Sequence, residues 1–498
     1  MSELLGIDPM TLLVLIPLVC AVLLPVVGRW PNVREAVTLI SSVFLVSVAW
    51  PFAFAVEAGA RPDVTWIEPI VGVSLRLTAE PLGAIFVLVA STLWVISTIY
   101  SIGYMRGNNE GHQTRFYVCF AIAISSTMGV ALAGNLFTLF LFYEVLTLST
   151  YPLVAHHGDD EARQGGRIYL GILLTTSIGF LLTAILWTYA ITGSGDFIAG
   201  GLLAGKAEGP IVGVLLALYA FGIGKAALMP FHAWLPAAMV APTPVSALLH
   251  AVAVVKAGVF CVTKVVVYVF GLELLSGESS TSWLVWIAGA SILIASIIAL
   301  QQDNLKRRLA FSTVSQLAYV SMAAALFAPY AIMAAALHIV AHAFGKITLF
   351  FAAGSIYTAA HKTRISELDG IGKRMPWTMG AFAIASLSMI GLPPTVGFIS
   401  KWHLLTGAAE AASGFAIVVM VVSTALNAAY FLPIVYNAFF KEEAMRHDNA
   451  ADHHHEPHGE APLPMVVALT VTAAITLGLF FLPGLPYELT LRLLEGMP

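Results

Sequence analysis

The sequence predicts an all-α membrane protein that crosses the bilayer many times. Of its 498 residues, 59% are hydrophobic and only 10% are charged, a composition typical of a polytopic membrane protein rather than of soluble domains. Apolar runs of about 20 residues, the length that a helix needs to span a bilayer, follow one another along the chain. The net charge of −4 is spread over many loops and gives no basis for a nucleic-acid partner.

Fourteen transmembrane helices are predicted from these runs. Their approximate spans are 9–28, 34–56, 81–104, 115–133, 135–155, 166–192, 210–240, 244–270, 282–301, 308–326, 330–357, 376–410, 412–440 and 463–483. We expect the first run to be a retained helix, because no basic segment of a signal peptide precedes it. No separate soluble domain or long linker is expected.

The seventh predicted helix contains a break. Residues 222–236 carry Lys225, Pro230, His232 and Pro236 inside an apolar run. Proline lacks an N–H and its ring clashes with the preceding turn, so we expect Pro230 and Pro236 to act as hinges beside the lysine. Irregular backbone at membrane depth survives where it is buried in protein or lines a cavity. The stretch therefore indicates a transport site; a kinked packing helix with a snorkelling lysine is the alternative.

The twelfth predicted helix repeats this pattern. Gly391, Pro393, Pro394 and Gly397 interrupt it as hinge candidates, and Lys401 follows. Two broken helices in corresponding positions indicate inverted repeats, and an interval of five helices makes the units helices 4–8 and 9–13.

Four parts of the chain follow from these repeats. Residues 1–110 hold helices 1–3, 111–272 the first repeat, 273–441 the second, and 442–498 a histidine-rich loop with helix 14.

The basic residues predict the orientation. Of the 24 lysines and arginines, fifteen lie in one set of alternate loops, four in the other set and five inside helices. Because cytoplasmic loops carry the excess of positive charge, both termini are predicted to be non-cytoplasmic. The histidine-rich loop, residues 453–458, then faces the cytoplasm.

Ionisable residues inside the membrane are rare and usually functional. The five helix lysines are Lys225, Lys256, Lys264, Lys346 and Lys401, and Glu144 is the one acid with apolar residues for about two turns on both sides. A coupling between Glu144 and Lys225 that forms and breaks would switch the protonation of both. A static ion pair that only fixes packing is the alternative.

Further candidates lie on helices 8 and 11. His338, His342 and Lys346 are spaced by four residues and therefore share one helix face, where neutral imidazoles can relay protons. Zinc ligation and a static hydrogen-bonding face are the alternatives. On helix 8, His250 precedes Lys256 and Lys264.

Lys264 lies near the helix end and could snorkel to the interface. This leaves Lys264, His232 and His250 as secondary candidates.

Other groups argue against metal or cofactor chemistry. Cys20, Cys119 and Cys261 lie far apart in apolar segments and predict neither a disulfide nor a metal site. Residues 156–161 and 453–458 are rich in histidine, and we interpret both as solvated loops. The alternative is a proton entrance at His156 and His157 for the first and metal binding for the second. No dinucleotide, phosphate or iron–sulfur motif is present, so we expect no cofactor.

Several motifs together resemble a known family. They are Glu144 in helix 5, Gly-Lys-Ala-Ala-Leu-Met-Pro-Phe-His-Ala-Trp-Leu-Pro at 224–236, Ala-Pro-Thr-Pro-Val-Ser-Ala-Leu-Leu-His at 241–250, His-xxx-His-xxx-Lys at 338–346 and Gly-Leu-Pro-Pro-xx-Gly-Phe-xx-Lys at 391–401. This set resembles the antiporter-like membrane subunits of respiratory complex I, of related hydrogenases and of Mrp-type cation/proton antiporters.

The resemblance implies fourteen helices with two inverted five-helix repeats. It also implies a hydrophilic axis through Glu144, Lys225, Lys256, the helix-11 residues and Lys401, with half-channels to opposite sides. A multi-pass subunit of a hetero-oligomer in a prokaryotic cell (inner) membrane is expected.

Among the members, the length and Lys401 resemble the D-type subunit of Mrp antiporters. The expected function is therefore that of a non-enzymatic component of a secondary antiporter that exchanges protons for a monovalent cation such as Na⁺. The surroundings of His250 and Lys346 also resemble the distal pumping subunit of complex I. A pumping subunit of a quinone reductase or hydrogenase is thus the alternative; inorganic-carbon uptake and a scaffold without an ion path are two further ones.

Overall fold

The computed structural model describes residues 6–70, 72–442 and 459–496. It confirms the all-α polytopic class. Eleven helices in these ranges are long and apolar enough to cross a membrane, and α7a and α12a below are shorter apolar helices. Every predicted span coincides with a helix or, at 210–240 and 376–410, with a broken one.

The helices are labelled by span, with a and b for the two parts of a broken one. They are α1 Pro9–Val27, α2 Pro31–Glu57, α3 Pro81–Gly107, α4 Gln113–Leu132, α5 Leu136–Val154, α6 Asp160–Thr192, α7a Pro210–Gly222, α7b Trp234–Ala237, α8 Thr243–Phe270, α9 Trp283–Leu300, α10 Leu305–Ala324, α11 Pro329–Ala360, α12a Pro376–Ile390, α12b Val396–Glu410, α13 Gly414–Phe440, α14 Leu463–Phe481 and α15 Gly484–Glu495.

Two of the elements that were not predicted lie near the end of α2. Strands β1 (Asp63–Ile70) and β2 (Val73–Thr78) form an antiparallel hairpin between α2 and α3. The amphipathic helix α15 returns to the same region, where Arg492 Nε donates to the Glu57 carbonyl at 2.9 Å. Neither element is long enough to span the bilayer, so a search for apolar runs overlooks them.

The first break is confirmed, but it begins before Pro230. Helix α7a already ends at Gly222, a 3₁₀ turn at Gly224–Ala226 carries Lys225, and Ala227 has a left-handed backbone with φ 52°. Pro230 lies in the turn that follows. Pro236, expected to be a hinge, lies inside α7b instead, because the first turn of a helix tolerates proline.

Glycines let the first break pack against its neighbours. A Cβ at Gly224 would lie 2.2 Å from Thr176 Oγ1, and one at Gly258 on α8 would lie 2.2 Å from Ala226 N. Thr176 directly precedes a π-helical segment of α6, Ser177–Leu181. The backbone that carries Lys225 is therefore held between α6 and α8.

The second break lies where it was predicted. Helix α12a ends at Gly391, whose φ of 90° requires glycine, Pro393 and Pro394 lie in the link, and α12b begins at Val396. A Cβ at Gly397 would lie 1.8 Å from the Ser388 carbonyl oxygen, so α12b crosses the end of α12a in close contact. The inverted relation of the repeats and the four-part division stay predictions.

Substitution of Gly397 by alanine should destabilise the protein. The methyl group would force α12b away from Ser388, which we expect to cost about 1–3 kcal/mol. The matched control is Gly380→Ala on α12a, where a Cβ meets nothing within 4 Å. Thermal unfolding in detergent should show a lower Tm for Gly397→Ala alone, and equal Tm values for the two variants would contradict the close crossing.

Candidate functional site

The lysines and histidines of the predicted axis are buried in the described structure, whereas Glu144 is half-buried. Lys225, Lys256, His342 and Lys346 are 0% exposed, and His338 and Lys401 are 3% and 6% exposed. A buried ammonium group needs partners that replace water. The partners of each residue therefore define what the site can do.

Lys225 is bound to α5. Its Nζ donates to Thr147 Oγ1 at 2.6 Å and to the Tyr143 carbonyl at 2.8 Å, and lies over the Tyr143 ring, 3.1 Å from its centroid. Its backbone N–H donates to the Tyr143 hydroxyl at 3.1 Å. One turn of α5 thus holds both the side chain and the backbone of the break.

Glu144 lies in the same turn of α5 but does not bind Lys225. Both of its carboxylate oxygens are buried and have no hydrogen-bond partner among the described residues. No carboxylate in those ranges lies within 4 Å of Lys225 Nζ. In this conformation the side chain of Lys225 is therefore held by the turn of α5 that carries Glu144, but it forms no ion pair with Glu144.

Lys256 joins the first half of the protein to α11. Its Nζ contacts His342 Nδ1 in a buried hydrogen bond between α8 and α11. The His342 ring is nearly parallel to that of His338, with centroids 6.2 Å apart. Because an imidazole has two nitrogens, His342 can accept a proton at one and donate at the other.

His338 connects this contact to the second break. Its Nδ1 is 2.9 Å from Ser400 Oγ, and its Nε2 is 3.0 Å from Gln316 Oε1. Ser400 directly precedes Lys401, whose Nζ donates to the carbonyls of Met389 at 3.0 Å and Ile390 at 2.9 Å.

Those carbonyls belong to the C-terminus of α12a. Helix ends leave carbonyls unpaired and attract cations, so the break itself supplies the acceptors for Lys401.

A second polar branch starts at Lys346. Its Nζ donates to Ser312 Oγ at 2.9 Å, and the Tyr430 hydroxyl donates to the same oxygen at 3.1 Å. Tyr430 also contacts Asn427, and Gln316 Nε2 is 3.4 Å from Asn427 Oδ1. Gln316 thus touches both branches.

Five polar residues of these branches were not predicted from the sequence: Gln316, Asn427, Ser312, Tyr430 and Ser400. A usable signal exists for the two amides, since Gln316 on α10 and Asn427 on α13 stand in membrane helices, where buried polar groups require partners. The hydroxyl residues carry no such signal, because serine commonly bonds its own helix backbone.

The secondary candidates differ in their placement. His250 is fully buried in the π-helical segment Leu248–Val252, its ring is 4.6 Å from that of Phe350, and neither nitrogen has a partner among the described residues. His232 is half-buried in the first break beside Phe311.

Lys264 does not snorkel, because it is 0% exposed and forms an ion pair with Glu80 at 3.0 Å.

The two histidine-rich loops also differ. Residues 453–458 lie outside the described residues. At the other loop, His157 Nε2 is 3.4 Å from Glu110 Oε2, which raises the pKa of His157. Neighbouring His156 is 2% exposed, and burial lowers its pKa. Within the described ranges, no three His, Cys, Asp or Glu side chains form a group that could hold a metal.

The sequence is similar to subunits of NADH:quinone oxidoreductases and of cation/proton antiporters. A family model described as "NADH:quinone oxidoreductase/Mrp antiporter, TM" matches residues 133–427. The chain is 35% identical over 418 residues to NADH-quinone oxidoreductase subunit N of Desulforudis audaxviator, covering 82% of both chains. It is 33% identical over 378 residues to a probable K⁺/H⁺ antiporter subunit of Rhizobium meliloti, covering 72% of this chain and 36% of that longer protein.

Solved structures support the fold. A chain of an archaeal membrane-bound sulfane sulfur reductase superposes with a TM-score of 0.84 at 24% identity, covering 98% of this chain and 97% of that one. A chain of the Mrp complex from Dietzia sp. gives a TM-score of 0.84 at 22% identity, with coverages of 97% and 95%. With the motifs, the two broken helices and the buried lysine–histidine axis, the family match establishes that this chain belongs to the NADH:quinone oxidoreductase/Mrp antiporter family of membrane subunits.

Proposed function

We propose that the chain is the proton-translocating subunit of a multisubunit Na⁺/proton antiporter of the Mrp type, comparable to the D-type subunit. The observation that carries this proposal is the set of buried contacts Lys256–His342, His338–Ser400 and His338–Gln316. The His338 and His342 ring centroids are 6.2 Å apart, and Ser400 directly precedes Lys401 in the chain. The chain would act with other membrane subunits, and its ligands would be protons and a monovalent cation.

The first step concerns Glu144 and Lys225. In the described conformation Lys225 is held by Thr147 and Tyr143, and the Glu144 carboxylate has no partner among the described residues. When Lys225 leaves these acceptors and approaches Glu144, the attraction between the two opposite charges favours the protonated lysine and the deprotonated glutamate. When Lys225 returns to Thr147 and Tyr143, that attraction is lost. The pair thereby takes up and releases a proton as the lysine moves.

The second step passes the proton laterally. Lys256 donates to His342, and the stacked His338 ring lies on the way to Ser400 and Lys401. Moving one charge across the full membrane potential is worth about 2.3 kcal/mol per 100 mV. The charged and neutral forms of each residue must therefore differ by only a few kcal/mol, and the carbonyls of Met389 and Ile390 stabilise the charged form of Lys401.

A redox-linked pump is the second candidate function. It is favoured by the relative named NADH-quinone oxidoreductase subunit N, which is similar over 82% of both chains. The same residues would transfer protons in that assembly. Purification of the native complex and identification of its other chains separate the two functions, since further small membrane subunits support the antiporter and iron–sulfur or flavin subunits support the redox pump.

Substitution Glu144→Gln should abolish cation/proton exchange, because the amide cannot carry the proton. We expect a loss of about a hundredfold or more in everted membrane vesicles, with unchanged amounts of assembled complex on native gels. The control is Glu161→Gln, which alters an exposed acid at the start of α6. Full exchange by assembled Glu144→Gln complex would refute the mechanism.

Substitution Ser400→Ala should slow exchange without stopping it. The variant removes the partner of His338 Nδ1, and the loss of one buried hydrogen bond corresponds to about a tenfold lower rate. Thr406→Ala, at an exposed site on the same helix, is the matched control. If Ser400→Ala and Thr406→Ala transport at the same rate as the parent, His338 does not transfer protons through Ser400.

A further inference from the structure

Lys264 forms a buried ion pair outside the axis described above. Its Nζ lies 3.0 Å from Glu80 Oε2 and donates to the Ala133 carbonyl at 2.7 Å. The ring of Phe197 lies on another side, with its centroid 4.5 Å from Nζ. Of the five helix lysines, Lys264 alone has a carboxylate within 4 Å among the described residues.

Glu80 is the residue that precedes α3, and its side chain does not cap that helix. The residue is 8% exposed, and Oε2 forms no hydrogen bond within the described ranges despite its short distance to Lys264. A buried carboxylate oxygen without a hydrogen bond is costly. The Lys264 ammonium at 3.0 Å offsets part of that cost.

A cavity of about 230 Å³ lies beside Glu80. Residues around it include Arg61, Glu80, Phe197, Tyr268, Arg492 and Leu493. Water occupies about 30 Å³ per molecule in the liquid, so the cavity holds several molecules. It lies beside the hairpin and α15, on the face predicted to be non-cytoplasmic, and exposed Arg61 contributes to its rim.

The charges around the cavity favour water over a metal cation. Arg492 is bound to Glu495 at 2.8 Å and lies 3.7 Å from Glu57, and Arg61 donates to backbone carbonyls, including that of Val56 at 2.7 Å. Two guanidinium groups on the wall repel Na⁺ or K⁺. Glu80 is the proton-accepting group that faces the cavity.

Helix α8 links this cavity to the axis. Lys256 and Lys264 are eight residues apart on α8, which corresponds to about 12 Å along a helix. Between them, Gly258 packs directly on the backbone of Lys225 and Ala226. Lys264 therefore lies just over two turns of α8 from Lys256, and less than two turns from Gly258, which contacts the backbone of Lys225.

We propose that this cavity is a water-filled vestibule, and that Glu80 and Lys264 transfer protons between it and the first half of the axis. The Lys264 ammonium gives a proton to the Glu80 carboxylate, which leaves a neutral amine and a carboxylic acid. The acid releases the proton to vestibule water. A proton from the first half of the axis then reprotonates the neutral Lys264 amine. The first half of the axis then has its own proton outlet, separate from the one at Lys401. This role rests on the function proposed above.

Thiol labelling tests the vestibule without reference to transport. Glu80→Cys in the assembled complex is treated with a membrane-impermeant anionic methanethiosulfonate on either side of sealed vesicles. We expect labelling from the hairpin face alone, above the level of the parent chain. Ala84→Cys, one turn further into α3 and fully buried, should stay unlabelled. Equal protection of both cysteines would overturn the vestibule.

Exchange measurements test the ion pair. Glu80→Gln should lower cation/proton exchange about tenfold, Glu80→Asp should retain exchange, and the exchanged pair Glu80→Lys with Lys264→Glu should recover most of it. Glu208→Gln, at an exposed acid in the loop before α7a, is the control. Full exchange by assembled Glu80→Gln complex would overturn the proton outlet. Full exchange by Glu144→Gln would instead refute the proposed function, and the labelling result would still stand.

Discussion

The cost of burying an amine in a membrane protein is the constraint on which this structure depends. Lys225, Lys256, Lys346 and Lys401 lie in the interior, and in the described ranges no carboxylate lies within 4 Å of any of them. Their partners are hydroxyls, an imidazole and backbone carbonyls. Such neutral partners stabilise a charge less than a carboxylate does, which keeps the protonated and neutral forms close in free energy.

Helix ends supply backbone acceptors for several lysines. Lys401 donates to the carbonyls at the end of α12a, and Lys264 donates to the Ala133 carbonyl at the end of α4. Lys306 Nζ donates to the Ala241 carbonyl at 2.6 Å, and Ala241 follows α7b and a short 3₁₀ turn. The last carbonyls of a helix have no partner within the helix and are free to accept from a lysine. The breaks therefore provide sites for charge, and glycines such as Gly258 and Gly397 allow the close packing that surrounds them.

The sequence predicted the spans, the breaks and the buried ionisable residues because each has a local signal: an apolar run, a proline or glycine, or a charge in an apolar segment. The partners were less predictable. Glu144 and Lys225 are adjacent, but which acceptor the lysine uses depends on how α5 packs against the break. Glu80 precedes a helix and looks like an ordinary loop acid until the fold brings Lys264 to it. Gln316 contacts His338 and Asn427 only because the fold packs α10 against α11 and α13.

The most direct test of the proposed mechanism is proton transport across the contact between Lys256 and His342, which joins the two halves. The native complex with Lys256→Met is reconstituted into liposomes, and proton movement driven by a cation gradient is followed with a pH-sensitive dye. Lys206→Met, at an exposed loop lysine, is the control. We predict a loss of about a hundredfold for Lys256→Met in fully assembled complex and no change for the control. Transport by Lys256→Met at the parent rate would contradict the mechanism.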